Sequence, residues 1–288
     1  MADPNETVAG YKLRTLLQTG AVSQVYEVVE PSSGRHFAMK ILLPEQADNR
    51  EQRHNLFHEA KVGIALRHDN IIRIAKVDES MEAPHFIMEF FPAGSLRGRI
   101  QGKDFAFLRE HAAKILKQSA TALAYMNSSG WVHCDVKADN ILVNSLGELR
   151  MIDFAISKKM PTGIARWFHR RKKPQGTPSF MSPEQIRDEI LDGRADIYSW
   201  GAAMYEILTG RPPFRATTQN ELLQKHYFAK PDSPIVYNAD LTDDIATLLI
   251  KCLAKKKEDR FSTFHDILIK LRDIRIYKVK PVVKKPAS

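Results

Sequence analysis

The apolar patterning of this chain changes period about a third of the way along, and that change limits the folds open to it. Up to about residue 91, short β-branched and aromatic runs recur at Tyr11–Thr19, Gln24–Glu30, Arg35–Leu43, Ile71–Val77 and Pro84–Phe91. Such runs read as strands, and Pro31-Ser32-Ser33-Gly34 makes a turn between the second and third. One helical stretch, about Arg50–Leu66, interrupts them. Beyond Phe91-Pro92-Ala93-Gly94 the helical period takes over: Leu108, Ala112, Ile115, Leu116, Leu123 and Met126 share one face of a helix over Phe107–Asn127. Further helices are expected over Asp196–Leu208, Leu241–Cys252 and Thr263–Arg272, with Thr209-Gly210-Arg211-Pro212-Pro213 stopping the first of these. Strands gathered first and helices second predict an α+β architecture, a small sheet-rich body followed by a larger helical one. A cleft between two such bodies is a favoured ligand site.

The composition allows this. At 288 residues, 43% hydrophobic and 27% charged, the chain can bury a proper core and is neither disordered nor fibrous. No run approaches the 18 apolar residues that a spanning helix needs, and the opening MADPNETVAG is too polar and acidic for a targeting peptide. Cys134 and Cys252 are too few for a disulfide framework or a structural zinc site, so a reducing, cytoplasmic setting is expected.

The chemistry concentrates in His133-Cys134-Asp135-Val136-Lys137-Ala138-Asp139-Asn140, followed thirteen residues after Asn140 by Asp153-Phe154-Ala155. Phosphoryl transfer needs a carboxylate near the attacking hydroxyl, oxygen ligands for magnesium and positive charge on the nucleotide phosphates. This segment holds candidates for all three. In these motifs the chain resembles the protein kinase superfamily from about Tyr11 to Arg272, in wording closest to bacterial serine/threonine kinases.

The resemblance implies a two-lobed kinase fold: a small antiparallel N-lobe sheet with one main helix over 11–91, and a mostly α-helical C-lobe over 92–273. It leaves residues 1–10 as an N-terminal extension and 274–288 as a basic tail. It implies ATP and magnesium as cofactors and protein serine or threonine hydroxyls as acceptors. Asp135 is the implied catalytic base, and Lys137 neutralises charge on the moving phosphoryl group. Asn140 and Asp153 are the implied magnesium ligands. Ala38-Met39-Lys40 matches the Val-Ala-Ile-Lys strand, so Lys40 is expected to contact the α- and β-phosphates with Glu59 orienting it. Leu17, Gln18, Gly20, Ser23 and Val25 cover the nucleotide, while Val25, Ala38 and Leu142 sandwich the base. Met88 opens the hinge, with Glu89, Phe90 and Phe91 presenting backbone hydrogen bonds. Gly176-Thr177-Pro178-Ser179-Phe180-Met181-Ser182-Pro183-Glu184 resembles the segment ending in Ala-Pro-Glu, with Glu184 paired to Arg260. Asp196-Ile197-Tyr198-Ser199-Trp200-Gly201 opens the central helix, its aspartate bracing the catalytic loop. Lys137 and Thr177 favour serine/threonine over tyrosine as acceptor.

Four departures stand out. The Gly-x-Gly-x-x-Gly-x-Val positions read Gln18, Gly20, Ser23 and Val25, which is expected to stiffen the loop and weaken ATP affinity. Ala155 replaces the last glycine of Asp-Phe-Gly, and its β-carbon disfavours positive φ. Gly63 stands one helical turn after Glu59, where it is expected either to allow a close helix approach or to leave Phe154 short of a contact and the helix mobile. Cys134 replaces the arginine that receives a phosphorylated activation loop, so activity is expected not to need that phosphorylation, even though Ser157, Thr162, Thr177, Ser179 and Ser182 offer hydroxyls. As a sulfur group, Cys134 reads as a small buried hydrophobe ahead of a redox switch.

These departures keep a pseudokinase, a nucleotide-binding or scaffolding module with little turnover, as the alternative function. The net charge of +9 has an uneven source: Ser157–Gln175 carries +7, interleaved with Trp167, Phe168 and His169, and Arg272–Ser288 carries +5. The other 252 residues sum to −3. Both basic segments suit an acidic partner, and less readily nucleic acid.

Overall fold

The structure is a computed structural model and describes residues 7–80, 82–161 and 174–279. The chain folds into two compact units, residues 1–92 with 152–155 and residues 93–151 with 156–288. Residues 152–155, which carry Asp153 and Phe154, belong with the first unit although 59 residues of the second precede them.

In the first unit, β1 (Thr7–Val8), β2 (Tyr11–Thr19), β3 (Ser23–Val29), β4 (His36–Leu42), β5 (Ile74–Asp78) and β6 (His85–Glu89) form one sheet in the order β1-β2-β3-β4-β6-β5, every pair antiparallel. Thr7 and Val8 of the expected extension are thus already part of the sheet. Residues 71–73, expected to be strand, precede it: the Ile71 N–H donates to the His68 carbonyl in a turn, while Ile71 and Ile72 are buried. Side chains alternate along β4, so Met39 packs with Tyr11, Leu13, Val28 and Ile87 on one face. On the other face Leu42, Ile74 and Phe86 pack against Leu56 and Ala60 of α1 (Arg50–Ala65). Asn49 caps α1, its side chain accepting from the Glu51 and Gln52 N–H groups.

Gly63 of α1 explains itself in this packing. A β-carbon there would lie 2.4 Å from Ile74 Cδ1, 2.8 Å from Cγ1 and 3.6 Å from Phe154 Cδ2. The glycine therefore admits Ile74 of β5, and Phe154 is buried, not short of contacts. Gly63→Ala gains about 1 kcal/mol of helix propensity but overpacks a buried site at a cost of about 1–3 kcal/mol. The variant is expected to melt at a lower temperature than the parent; a higher melting temperature would refute the close approach.

The second unit is built on α3 (Phe105–Ser128), which follows β7 (Gly94–Ser95) and α2 (Leu96–Gln101). Asp104 caps α3, which starts two residues earlier than its apolar face suggests. Next come β8 (Trp131–Val132), β9 (Ile141–Val143), β10 (Leu149–Met151) and β11 (Lys158–Lys159), forming two small antiparallel sheets, β10-β9-β7 and β11-β8. Then α4 (Pro183–Ile186), α5 (Gly193–Thr209), α6 (Gln219–Phe228), α7 (Asp243–Cys252) and α8 (Phe264–Asp273) complete it. Asp192 caps α5, and Gly210 ends it at φ 75°, a left-handed position that glycine takes without strain. The centre of α5 is buried on all sides, from Ala195 to Leu208. Leu241, expected to start α7, bridges Tyr277 instead, leaving Thr242 as the cap. The chain thus stays packed past residue 273: Ile276 and Tyr277 are buried, and the Lys278 N–H donates to the Asp240 carbonyl. Among the described residues no helix is long and apolar enough to cross a membrane.

Candidate active site

Strand register gathers the nucleotide-facing candidates of the first unit. Val25 pairs with Lys40, and Ala38 with Met88. Directly paired residues share a sheet face, and 38 and 40 share one by alternation. Val25, Ala38, Lys40 and Met88 therefore stand on the face that α1 covers. The Lys40 ammonium reaches Glu59 Oε2 at 2.6 Å and Asp153 Oδ1 at 3.8 Å. Burial lowers the Lys40 pKa, but the Glu59 and Asp153 carboxylates outweigh it and hold the ammonium charged. Burial pushes the Glu59 carboxyl up to about 7, against the pull of Lys40. The lysine–glutamate pair is formed.

Asp153 takes φ 66°, whereas Ala155 keeps a negative φ that its β-carbon tolerates. The left-handed residue of this motif is the aspartate itself, so Ala155 leaves the geometry intact.

The glycine-poor hairpin closes through the Gly20 N–H donating to the Ser23 carbonyl at 2.8 Å. Gln18 pairs with Val25, but a register shift between Leu16 and Gln18 leaves Leu17 as the bulged residue, 46% exposed. At the hinge, the Glu89 N–H donates to the Arg73 carbonyl at 2.9 Å, and the Glu89 carboxylate accepts from the Arg73 N–H at 3.0 Å. The Glu89 N–H is therefore engaged by the residue just before β5, and Phe91 is half-buried just beyond it.

The second unit, by itself, groups polar side chains around Asp135. Its Oδ1 accepts from the Thr177 N–H at 3.0 Å and the Thr177 hydroxyl at 2.8 Å. Its Oδ2 accepts from Lys137 Nζ at 2.6 Å and Asn140 Nδ2 at 3.2 Å. Lys137 Nζ also donates to Thr177 Oγ1 at 2.8 Å. Leu142 lies on β9, half-buried. The Asn140 amide nitrogen also donates to the Asp135 carbonyl at 2.9 Å.

The loop is held from below by Asp196 of α5. That buried carboxylate accepts from the His133 N–H at 2.8 Å, the Cys134 N–H at 3.0 Å and Asn127 Nδ2 at 2.9 Å. Burial raises its pKa, and these donors oppose the rise. Cys134 sits at φ 68° with its side chain among Val132, Leu191 and Ala195. Burial and then Asp196 push its thiol up, so it behaves as a packed hydrophobe, not a nucleophile. Glu184 and Arg260 form a buried two-pronged pair at 2.6 and 2.9 Å.

Asn127 and Arg97 carry no motif of their own in the sequence; Arg97 grips Glu206 at 2.7 and 2.9 Å and Asp139 at 3.1 Å. Within the basic loop, Lys158 and Lys159 lie in β11, with Lys159 Nζ 5.5 Å from the Trp131 ring centre. Thr162, Arg166, Trp167, Phe168, His169, Arg170, Arg171, Lys172 and Lys173, and residues 280–288 of the tail, lie outside the described residues.

Taken separately, the first and second units each carry an oxygen donor of the type a hard cation takes. Asp153 offers a carboxylate and Asn140 an amide oxygen, and among the described residues no three His, Cys, Asp or Glu side chains gather into a metal cage. Magnesium uses one or two carboxylates together with substrate phosphates, not such a cage.

The profile of the protein kinase domain matches residues 11–270. A probable serine/threonine-protein kinase PknB of Corynebacterium glutamicum is 29% identical over 261 residues, 88% of this chain and 40% of that protein. The serine/threonine-protein kinase PknB of Mycobacterium leprae is 27% identical over 285 residues, 98% of this chain and 45% of that protein. A probable serine/threonine-protein kinase of Streptomyces coelicolor is 26% identical, over 93% of this chain and 40% of its own length. The chain thus spans less than half the length of these curated relatives.

Proposed function

The chain belongs to the protein kinase family, and from that premise we propose that it is a magnesium-dependent serine/threonine protein kinase. The observation that carries the proposal is the four-donor grip of Thr177, Lys137 and Asn140 on the Asp135 carboxylate. Such a grip fixes where the carboxylate points, and position is most of what phosphoryl transfer asks of a protein.

In this reading the acceptor hydroxyl gives its proton to Asp135 as its oxygen bonds to the γ-phosphorus, and the bond to the β-phosphate oxygen breaks to release ADP. Lys137, held beside Asp135, counters charge on the transferred group. Lys40, oriented by Glu59, binds the α- and β-phosphates. Asn140 and Asp153 would hold magnesium, which supplies charge neutralisation on the phosphate oxygens. Val25, Ala38, Met88 and Leu142 supply apolar surface for the base, and Gln18, Gly20 and Ser23 cover the phosphates. The alternative, a pseudokinase, is disfavoured because every direct participant is retained and the Lys40–Glu59 pair is made. A cytoplasmic setting is proposed on the buried free thiols Cys134 and Cys252. An acidic protein partner is proposed at 157–175 and 272–288 on their +7 and +5 charges, in preference to nucleic acid.

Transfer from ATP to dephosphorylated casein, with magnesium or with excess EDTA, tests the reading. Transfer should require magnesium and survive prior phosphatase treatment, because Cys134 cannot pair with a phosphate. Loss of transfer after phosphatase would sink the phosphate-independent part, and equal counts in EDTA would sink the whole.

A further inference from the structure

Losing the arginine before Asp135 leaves a structural question. Something other than a phosphate–guanidinium tie must hold the acceptor-side segment against the catalytic loop. Gln185, one residue past Glu184, is buried, and its carboxamide joins three pieces of chain. Its Nε2 donates to the Cys134 carbonyl at 2.6 Å and to the Gln175 carbonyl at 3.3 Å. Its Oε1 accepts from the Ser182 N–H and hydroxyl, each at 3.4 Å, closing the capping box of α4.

The two carbonyls stand close along the chain to the reacting group and to its partner. Cys134 directly precedes Asp135. Gln175 stands two residues before Thr177, whose N–H and hydroxyl grip Asp135. Gly176 between them takes φ 129°, and a β-carbon there would lie 3.1 Å from the Cys134 carbonyl oxygen and 3.2 Å from Gln185 Nε2. With this φ and so little room for a β-carbon beside the amide–carbonyl bond, the position suits glycine. The Cys134 peptide is thereby fixed at both ends, its N–H by Asp196 and its carbonyl by Gln185. Gln185 cannot drift, because Glu184 beside it is pinned by Arg260.

We propose that Gln185 is a positioning residue for phosphate transfer: its carboxamide clasps the Cys134 and Gln175 carbonyls, setting Thr177 onto Asp135 without a phosphorylated loop. The proposal rests on the kinase reading above and adds a tie between the two segments that needs no phosphate.

The test uses the full chain with Gln185→Met, which keeps length and apolar bulk, and Gln185→Glu, which sets an oxygen against the Cys134 carbonyl. The kcat for casein phosphorylation is expected to fall about 100-fold, the scale of a misplaced catalytic group, while KM for ATP stays within about twofold. A residue that only supported the fold would move both. The Thr177 amide, followed by hydrogen exchange, should exchange at least about tenfold faster in Gln185→Met. Combined with Thr177→Val, Gln185→Met should lower kcat little beyond the worse single variant, because both act on one contact.

Multiplying effects in the double variant, or an unchanged kcat, would overturn the proposal. Should both variants fail to fold, the parent decides alone: its Gln185 carboxamide protons must exchange slowly, and fast exchange overturns the clasp. Should the parent transfer no phosphate, the kinase reading fails, and exchange at the Thr177 amide still judges the clasp separately.

Discussion

Asp135→Asn is expected to lower phosphate transfer by roughly 10³-fold, within the range that a positioned general base contributes, while leaving ATP binding within about twofold. Asparagine has the same shape and can still accept from Thr177 on its oxygen. Its amide cannot take the acceptor proton. Placed at Oδ2, that amide would also face two donors, Lys137 Nζ at 2.6 Å and Asn140 Nδ2 at 3.2 Å. The amide is therefore expected to turn or to push Lys137 away, which adds a positioning loss to the chemical one. Fluorescent-nucleotide titration alongside the casein assay separates the two consequences. A variant retaining a tenth of the parent's kcat would show that Asp135 is not the base.

Arg260→Ala carries the largest expected loss of stability. The guanidinium is buried and serves several acceptors at once: both Glu184 oxygens and the carbonyls of Ala254, Arg194 and Lys255. Removing it leaves the Glu184 carboxylate buried without its counter-charge. Breaking such a pair from one side costs roughly 3–5 kcal/mol, which for a domain of this size lowers the melting temperature by about 10 °C. Glu184→Gln in the same chain is expected to recover part of the loss, since the stranded charge is then gone. A thermal melt within about 2 °C of the parent would mean that the pair contributes little beyond packing. Because Gln185 follows Glu184, the Arg260 variant should also lose kcat more than its residual folded fraction explains.

Much of the fold could be read in advance because its signals are local. The strand runs, the Pro31–Gly34 turn, the apolar face of α3 and the glycine stop at Gly210 each depend on neighbours within a few residues. The errors came where a distant partner intervened. Ile71 and Ile72 have strand-like side chains but are buried outside the ladder. Leu241 left α7 because Tyr277, 36 residues later, offered a bridge. Gly63 is open to two readings in the sequence, and Ile74, on another element, decides for the close approach by occupying the space beside it.

The candidate site divides in the same way. Asp135, Lys137, Asn140, Asp153, Lys40 and Glu59 were legible because the chemistry demands those residue types in that order. Their identity as protein kinase motifs, and hence the fold class, is carried by sequence alone. The contacts that make those residues act in concert are not. Nothing in the order of residues says that Lys40 finds Glu59 at 2.6 Å, that Thr177 crosses 42 positions to bond Asp135, or that Gln185 holds the Cys134 carbonyl. Those are outcomes of packing: sheet register puts Val25, Ala38, Lys40 and Met88 on one face, and the buried α5 supplies Asp196 beneath the loop. Residue type sets what each side chain can donate, accept or neutralise. Which partner it meets depends on contacts between segments far apart in the chain, and only the folded structure brings those segments within hydrogen-bond reach.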